Sequence, residues 1–514
     1  MVRSGHGPPG RTRPSSTLTD RGVRPTLHVI RSPAFPRDGS RPRAWRRAGL
    51  SAVAATALLA GVLLTTARAA EPTRQATTST AVAATSAAVA DTSAALAGGA
   101  TGTTADSADT LTPLSGSITF YGRGYGHGVG MSQYGARGRA LAGQAAATIL
   151  AHYYEGTTVA AFDRNAAIRV LVLSAWKSAP DDPLVVYGRK SPWTIDGIDA
   201  TFPADAKLTL RPTTTTVDGA TSVSWRLRIV GDGVTLLSRD TNHSFRVRAA
   251  TTSGRLQLAS KPSSFDTYRR VLRVFPKTTA PTVSVVNELK LETYLRGVVP
   301  AEMPSTWPAP ALQAQSIVAR SYAARRLRPG VGTYDVGDDT RWQVYRGSLA
   351  ERAPTTAAIT TSAGQVLTSD GAIANTLYHS TGGAATEDNE NVFVSATGDQ
   401  VASPVSYLRG STDRDADGLA YDAGSPYATW QTSTYSLSQL STWLATDSRT
   451  SVGSLSAIDL SDRGVSGRLI SITLVGSKAT KTVSANVFRE VFNASRPAAD
   501  PAMRSTLFYL TPLS

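Results

Sequence analysis

The 514-residue chain contains no cysteine. Disulfides, thiolate metal centres and a cysteine nucleophile are therefore all excluded. Lysine is nearly as scarce, at 8 against 45 arginines. With so much Ala and Thr, this reads as the coding bias of a GC-rich genome. The formal net charge of +15 is unevenly held: 11 Arg in residues 1–47 face only Asp20 and Asp38, and Arg68 adds one more. Residues 71–514 keep +5, which suits an anionic surface without requiring nucleic acid. No arginine-rich helix with interleaved aromatics appears, so no nucleic-acid partner is expected. At 41% hydrophobic and 18% charged residues the bulk of the chain is globular.

The N-terminal part reads as a targeting region. Residues 1–47 form an Arg/Pro-rich leader expected to be disordered. Residues 48–70 read as a signal peptide or signal anchor: Arg41, Arg43, Arg46 and Arg47 precede the apolar stretch Ala48–Thr66, and Ala67-Arg68-Ala69 is a small-x-small cleavage pattern. The expected product is secreted or wall-associated, or held at the membrane by residues 48–67; in each case the basic flank stays cytoplasmic. Residues 71–116 are an Ala/Thr-rich linker too poor in large apolar residues to offset its chain entropy. Folding is expected to start near Ile118, giving one domain over 117–514.

That domain reads as α+β, with mixed strands, a β-rich subdomain over 165–290 and a few helices. Leu141, Ala145, Ile149 and Tyr153 predict a helix over 138–154, ended by Gly156. Pro308 and Pro329-Gly330 bound a second helix over 308–328, with Ala311, Ala314, Val318 and Tyr322 on its packing face. Residues 355–410 read as strand and loop, 432–446 as a short helix and 455–510 as terminal strands.

Three segments combine residues that packing alone does not ask for. In Gly122–Gly135, glycines alternate as on a strand stripped along one face, permitting close approach of a backbone or ligand, with His127, Ser132 and Gln133 beside it. In Leu291–Pro308, Glu302 stands among Val298, Val299 and Met303, fenced by Pro300 and Pro304. Desolvation there raises a carboxyl's pKa, as a general acid requires; the bland alternative is a salt-bridged glutamate partnered by Arg320 or Arg325. In Leu377–Glu387, Tyr378, His379, Ser380 and Thr386 surround a Gly382-Gly383 break, where hydroxyls and an imidazole could position a sugar. Ser380 beside His379 lacks the G-x-S-x-G elbow of a hydrolase. Asp413–Gly418 resembles the start of a calcium loop, but its twelfth position is Gly424, so a solvated acidic turn is favoured. His127, His152 and His379 lack zinc-ligand spacing.

Together these stretches resemble the SpoIID/LytB family of sporulation stage II protein D, a peptidoglycan lytic transglycosylase, and LytB, an amidase enhancer. The resemblance rests on GRGYGHGVGMSQYGARGRA with ILAHYYEGT, on LETYLRGVVPAEMPSTWPAPALQAQSIVARSYA, on GQVLTSDGAIANTLYHSTGGAATE and on SGRLISITLVGSKATKTVSANVFRE. It implies a SpoIID-like domain with Glu302 as the catalytic residue. It also implies that His127, Ser132, Gln133, Tyr378, His379, Ser380, Thr386 and Arg320 line the glycan site. The expected partners are peptidoglycan glycan strands and a cell-wall amidase, with no cofactor. Two departures stand out. The glycine-histidine motif, late in the sporulation proteins, here precedes the catalytic segment, as if permuted to the N-terminal side. A zinc-binding D-x-C-D-x-T-H-C-Q-x-Y segment of some members reads Asp335-Val-Gly-Asp-Asp-Thr-Arg-Trp-Gln-Val-Tyr345, so zinc is not expected. A lytic transglycosylase needs one carboxyl where ordinary glycosidases need two; Asp335, Asp338 and Asp339 are the candidates for the second if the enzyme is a hydrolase. The competing expectation is a non-catalytic, wall-binding enhancer of an amidase.

Overall fold

The computed structural model describes residues 111–513. The leader (1–47), the signal segment (48–70) and most of the linker lie outside them. Among the described residues no helix is long and apolar enough to cross a membrane.

Three apolar cores organise the chain. The first sits in the β-rich section, between two antiparallel layers. In a six-stranded sheet, Lys207–Val217 and Ala220–Gly231 form a long hairpin beside Leu184–Arg189. In a seven-stranded sheet, Thr282–Lys290 lies between Ala167–Lys177 and Val271–Pro276. Alternation places Leu227, Ile229, Val285 and Leu272 inside, together with the fully buried Trp193 and Trp225. Tyr294, Leu295, Val298 and Val299 belong to the same core, so the β-rich section and the following helix share one interior.

That helix is α3, Leu291–Glu302; the earlier helices are α1, Gln133–Leu141, and α2, Ala146–Tyr153. Leu291, Tyr294, Leu295, Val298 and Val299 fall on one face at helical spacing. Pro300 sits in the last turn of α3, and Met303 and Pro304 end it. Pro308 then opens α4, Ala309–Ala324. Helix α4 is buried nearly all round, and its many alanines let α1, α2, α3 and α5 (Ala353–Thr361) pack against it. Ser316 and Ser321 donate back to Leu312 O and Ile317 O, so their hydroxyls cost little there.

The second core joins α1, α2 and one side of α4 through Val129, Met131, Tyr154, Met303, Leu312 and Val318. The third is C-terminal. Phe120, Phe488, Phe492 and Phe508 meet edge to face or stacked, under a four-stranded sheet formed by Leu111–Pro113, Leu455–Asp459, Ser471–Gly476 and Thr480–Ser484. A short turn of helix, α6 (Asn389–Val392), precedes this region, and α7 (Leu437–Leu444) and α8 (Ala485–Ser495) flank its sheet.

The fold is α+β as expected, with local corrections. The helix expected over 138–154 is two helices, because the chain turns through Gly143 in a left-handed conformation. Helix α4 stops at Ala324, four residues before Arg328. Helices α5 and α8 stand where strand and loop were expected. The alternating glycines form no long strand: Tyr121–Gly122 and Met131–Ser132 are short strands, Tyr125 makes a single bridge to Thr381, and the rest loops with Gly124, Gly126, Gly128 and Gly130 at positive φ.

Candidate active site

Glu302 ends α3 where the first two cores meet, half-buried. Its Oε1 accepts the Val344 amide N–H at 2.7 Å, and the Tyr378 hydroxyl bonds its carboxylate. Behind Tyr378 a relay is laid out: Tyr294 donates to Gln343 Oε1, and Gln343 Nε2 donates to the Tyr378 oxygen, both at 3.3 Å. Tyr322 lies across the Tyr378 ring, with the Arg326 guanidinium over it at 3.3 Å. Burial raises the Glu302 pKa above its usual value, against the pull of Val344 N–H, Tyr378 and Arg346. A carboxyl in this setting holds its proton closer to neutrality than a solvated one.

The N-terminal motif reaches this site from the other side of the sequence. Gln133 Nε2 donates to Glu302 O at 3.0 Å. The next residue, Tyr134, meets Trp307 edge to face at 4.7 Å, and Arg137 lies over the same indole. Met131–Ser132 pairs in parallel with Tyr378–His379, and Tyr134 N–H donates to Ser380 O. Residues 122–134 thus return to the strand at 378–380, as the displaced motif requires.

That strand divides the expected site residues. Consecutive residues of a strand point to opposite faces. Tyr378 turns to Glu302, with Ser380 half-buried further along the strand. His379 turns away and is buried; its Nδ1 lies 3.2 Å from Val129 O and its ring 5.5 Å from that of His127. His127 Nδ1 accepts the Val129 N–H at 3.0 Å. Beneath them is Arg468, wholly buried and donating to Gly382 O at 2.7 Å. The glycines make this approach possible. A Cβ on Gly126 would fall 2.9 Å from His379 Cβ, and one on Gly130 only 2.1 Å from Leu377 O. Burial, with Arg468 nearby, lowers His127 to about 4, and burial drives His379 well below its ordinary value.

Arg320, Ser132 and Thr386, expected to line a glycan site, are engaged within the fold, and the reading of the acidic turn is corrected too. Arg320 is completely buried, bonded through Nε and Nη2 to Glu292 at 2.8 Å and to the Gln365 and Ile359 carbonyls; it ties α3, α4 and α5 together. Ser132 is also fully buried, capping α1 at Gly135 N and accepting the Gly382 N–H. The acidic turn at Asp413–Gly418 is not solvated at its start: Asp413 is buried against Arg139 Nε (2.9 Å) and Tyr153 OH (2.7 Å). Thr386, 2% exposed, bonds Ser411 at the wall of a separate cleft.

The three alternative carboxylates are engaged elsewhere. Asp335 is buried, which alone would raise its pKa, but Arg169 and the Arg328 amide hold it low. Asp338 pairs with Lys261, and Asp339 with Arg341. The positions matching the two zinc cysteines, Gly337 and Trp342, face each other. A Cβ on Gly337 would fall 2.8 Å from the Trp342 indole, so a side chain fills the space between them and the residues do not fit a metal. Gln343, Tyr294, Tyr322 and Arg326 were not anticipated as site residues. Gln343 sits in the very segment compared for zinc, whose Gln-x-Tyr ending the chain keeps.

Residues 279–369, from the strand before α3 to the strand after α5, match the family described as Stage II sporulation protein, SpoIID. The Amidase enhancer of Bacillus subtilis is 29% identical over 203 residues, 38% of this chain and 27% of that protein. An uncharacterized protein of Brachyspira hyodysenteriae is 34% identical over 114 residues, 22% of this chain and 31% of its own length. Stage II sporulation protein D of Bacillus amyloliquefaciens is 48% identical over 48 residues, 9% of this chain and 14% of that protein. Each match thus spans less than a third of the relative. No solved structure matches significantly. The SpoIID segment contains Glu302, Gln343 and Val344; the partners Gln133 and Tyr378 come from outside it.

Proposed function

We propose that the chain is an exported peptidoglycan lytic transglycosylase acting in cell-wall remodelling or sporulation, with Glu302 as its single acid/base. The observation that carries this reading is the Glu302 carboxyl itself: half-buried, raised in pKa, and ringed by hydrogen-bond donors with no second carboxylate bonded to it. Protonated Glu302 gives its proton to the glycosidic oxygen as the bond to muramic acid C1 breaks. The carboxylate so formed then takes the proton of the same sugar's C6 hydroxyl, whose oxygen closes on C1. Glu302 ends as it began, no water is consumed, and the product carries a 1,6-anhydro end. The Tyr378 hydroxyl and Val344 N–H hold the transient carboxylate, while Tyr134 and Trp307 offer aromatic faces for sugar rings.

The experiment is product analysis of purified glycan strands incubated with the full chain. Anhydro-muramic ends are expected, and Glu302→Gln should lower their rate by roughly a hundredfold or more, the scale of general acid–base catalysis. Undiminished cleavage by that variant would remove Glu302 from the role. The relative named Amidase enhancer supports a second reading, a wall-binding partner of an N-acetylmuramoyl-L-alanine amidase. If the parent yields no anhydro ends yet accelerates a purified amidase on intact walls, that reading replaces the first.

A further inference from the structure

Tyr125 and Thr381 exchange both backbone hydrogen bonds, so their side chains leave the paired strands on one face. Alternation makes this the face of His379, turned away from Tyr378 and Glu302. Thr381 is buried there, its hydroxyl 2.7 Å from that of Ser425, while Tyr125 is exposed. Two residues after Ser425, the Tyr427 ring meets the Tyr125 ring at 4.8 Å. The Arg504 guanidinium lies 5.5 Å from the centre of the Tyr125 ring and 5.2 Å from that of Tyr427. A second arginine approaches from α8. Arg489 precedes Asn493 by one helical turn, and the Asn493 amide both donates to and accepts from the Met503 backbone. Arg489 thus lies along the segment that carries Arg504, near enough for its charge to act on Tyr125 and His127. Among the described residues neither guanidinium donates a hydrogen bond, and Arg489 Nε is buried without a partner. The carboxylate whose charge acts on Arg489 is Glu490, its neighbour in the helix, and the two form no ion pair. The Tyr125 and Tyr427 hydroxyls are likewise unbonded among the described residues. A buried donor left without an acceptor is costly, and one beside a second unused guanidinium at the surface points to an acceptor supplied by a ligand.

We infer that Tyr125, Tyr427, Arg504 and Arg489 bind a carboxylated sugar of a glycan strand, at a site separate from Glu302. The inference rests on the proposed action on peptidoglycan, whose muramic acid bears a lactyl carboxylate. The tyrosines offer an apolar face to a sugar ring and hydroxyls to its polar edge. The guanidiniums offer forked donors to a carboxylate. An uncharged sugar would leave both arginines unpaired, and a polyol phosphate has no ring for the tyrosines; a carboxylated sugar uses both features. Tyr378 and Thr381 lie only about 10 Å apart along the strand but on opposite faces. The sugar held at Tyr125 is therefore not the one being cleaved, and the site serves to hold the chain on the wall while Glu302 acts.

The test measures the affinity of the full chain for two disaccharides, N-acetylglucosaminyl-N-acetylmuramic acid and N,N′-diacetylchitobiose, which lacks the carboxylate. Muramic acid ends the first, so it offers no bond for the proposed reaction to break. The parent should bind the acidic disaccharide at least tenfold more tightly, the scale of one hydrogen bond to a charged group. Arg504 donates no hydrogen bond that its replacement would break. Arg504→Gln should reduce the preference and Arg504→Glu should abolish it, with melting temperatures unchanged. Tyr125→Ala should weaken both ligands alike, and Trp307→Ala, in the Glu302 cleft, should leave the preference intact. Equal affinities in the parent overturn the inference, as does a preference untouched by Arg504→Glu. A preference lost in Trp307→Ala but kept in Arg504→Glu moves acid recognition to Glu302 and overturns it too. Displacement of the acidic disaccharide by polyglycerol phosphate at lower concentration than by free muramic acid would overturn the choice of a carboxylated sugar. Cleavage is read separately. A chain that produces anhydro ends but binds the two disaccharides equally sinks only this inference; one that prefers the acidic disaccharide but leaves glycan intact sinks only the transglycosylase reading.

Discussion

The two sides of the strand at 378–380 are built from adjacent residues yet do opposite things. On the Tyr378 side, hydroxyls and amides gather round a half-buried carboxyl. On the His379 side, two imidazoles and a guanidinium are packed against bare glycines, with His379 and Arg468 buried and His127 half-buried. Their pH responses run in opposite directions. Glu302 has a folded-state pKa above its ordinary 4.5, so its ionisation lowers stability as pH rises through that range. His127 and His379 have folded-state values below the ordinary 6.5, so stability is full above 6.5 and is lost as pH falls. A motif that reads in sequence as one polar cluster is therefore half chemistry and half construction.

The largest effect expected from this division is on the construction side. Gly130→Ala puts a Cβ 2.1 Å from Leu377 O at a φ of 67°. Left-handed strain and overpacking together predict a loss of about 2–5 kcal/mol, read as a shifted denaturant midpoint. Gly143 has a similar φ but open space around it. Gly143→Ala should therefore cost only the strain, about 1–2 kcal/mol. Equal losses at the two positions would mean that the 122–130 loop is not tightly held against 377–382.

Next comes the acid response of the histidine side. Lowering His127 from 6.5 to about 4 corresponds to at most about 3 kcal/mol of stability, present above pH 6.5 and gone near pH 4. His127→Gln cannot take up that proton. The difference in unfolding free energy between parent and variant should therefore shrink, or change sign in the variant's favour, as pH falls from 6.5 to 4. A difference that is constant over this window would show that His127 titrates as it would in water.

The division also explains what was legible in the sequence. Glu302 could be singled out because apolar neighbours and two prolines announce desolvation without any tertiary knowledge. Helix α4 announced itself through Pro308 and its small-residue face. Helix α3 is masked by Gly297 and Pro300, which read as breakers; in the fold Gly297 is needed for Tyr345 and Gly347 to approach, and Pro300 sits in the last turn. The period-two glycines imitate a strand, but close contact with Leu377, His379 and Arg468 can be made only with positive φ, which period alone does not reveal. Arg320 looked available to a substrate because nothing local says that Glu292, 28 positions earlier, will claim it. Helix α8 was available to a periodicity reading, since Val487, Phe488, Val491 and Phe492 repeat at helical spacing. Gln343 was not, because its partners Tyr294 and Tyr378 lie 49 and 35 positions away.

The smallest effect expected is the most specific to the Tyr378 side. Tyr378→Phe keeps the ring between Tyr322 and the strand but removes the hydroxyl that bonds the Glu302 carboxylate and accepts from Gln343 Nε2. Because that bond favours the ionised form, its loss should raise the Glu302 pKa further. A general acid is active while protonated, so the alkaline limb of the pH–rate profile should move to higher pH. The carboxylate formed during the reaction loses one donor as well, which predicts a roughly tenfold lower maximal rate. Unfolding should change little, since Gln343 Nε2 can still donate to Ala319 O. An alkaline limb that stays put or moves down, or a rate loss that follows a loss of stability, would place Tyr378 on the construction side and erase the distinction between the two faces.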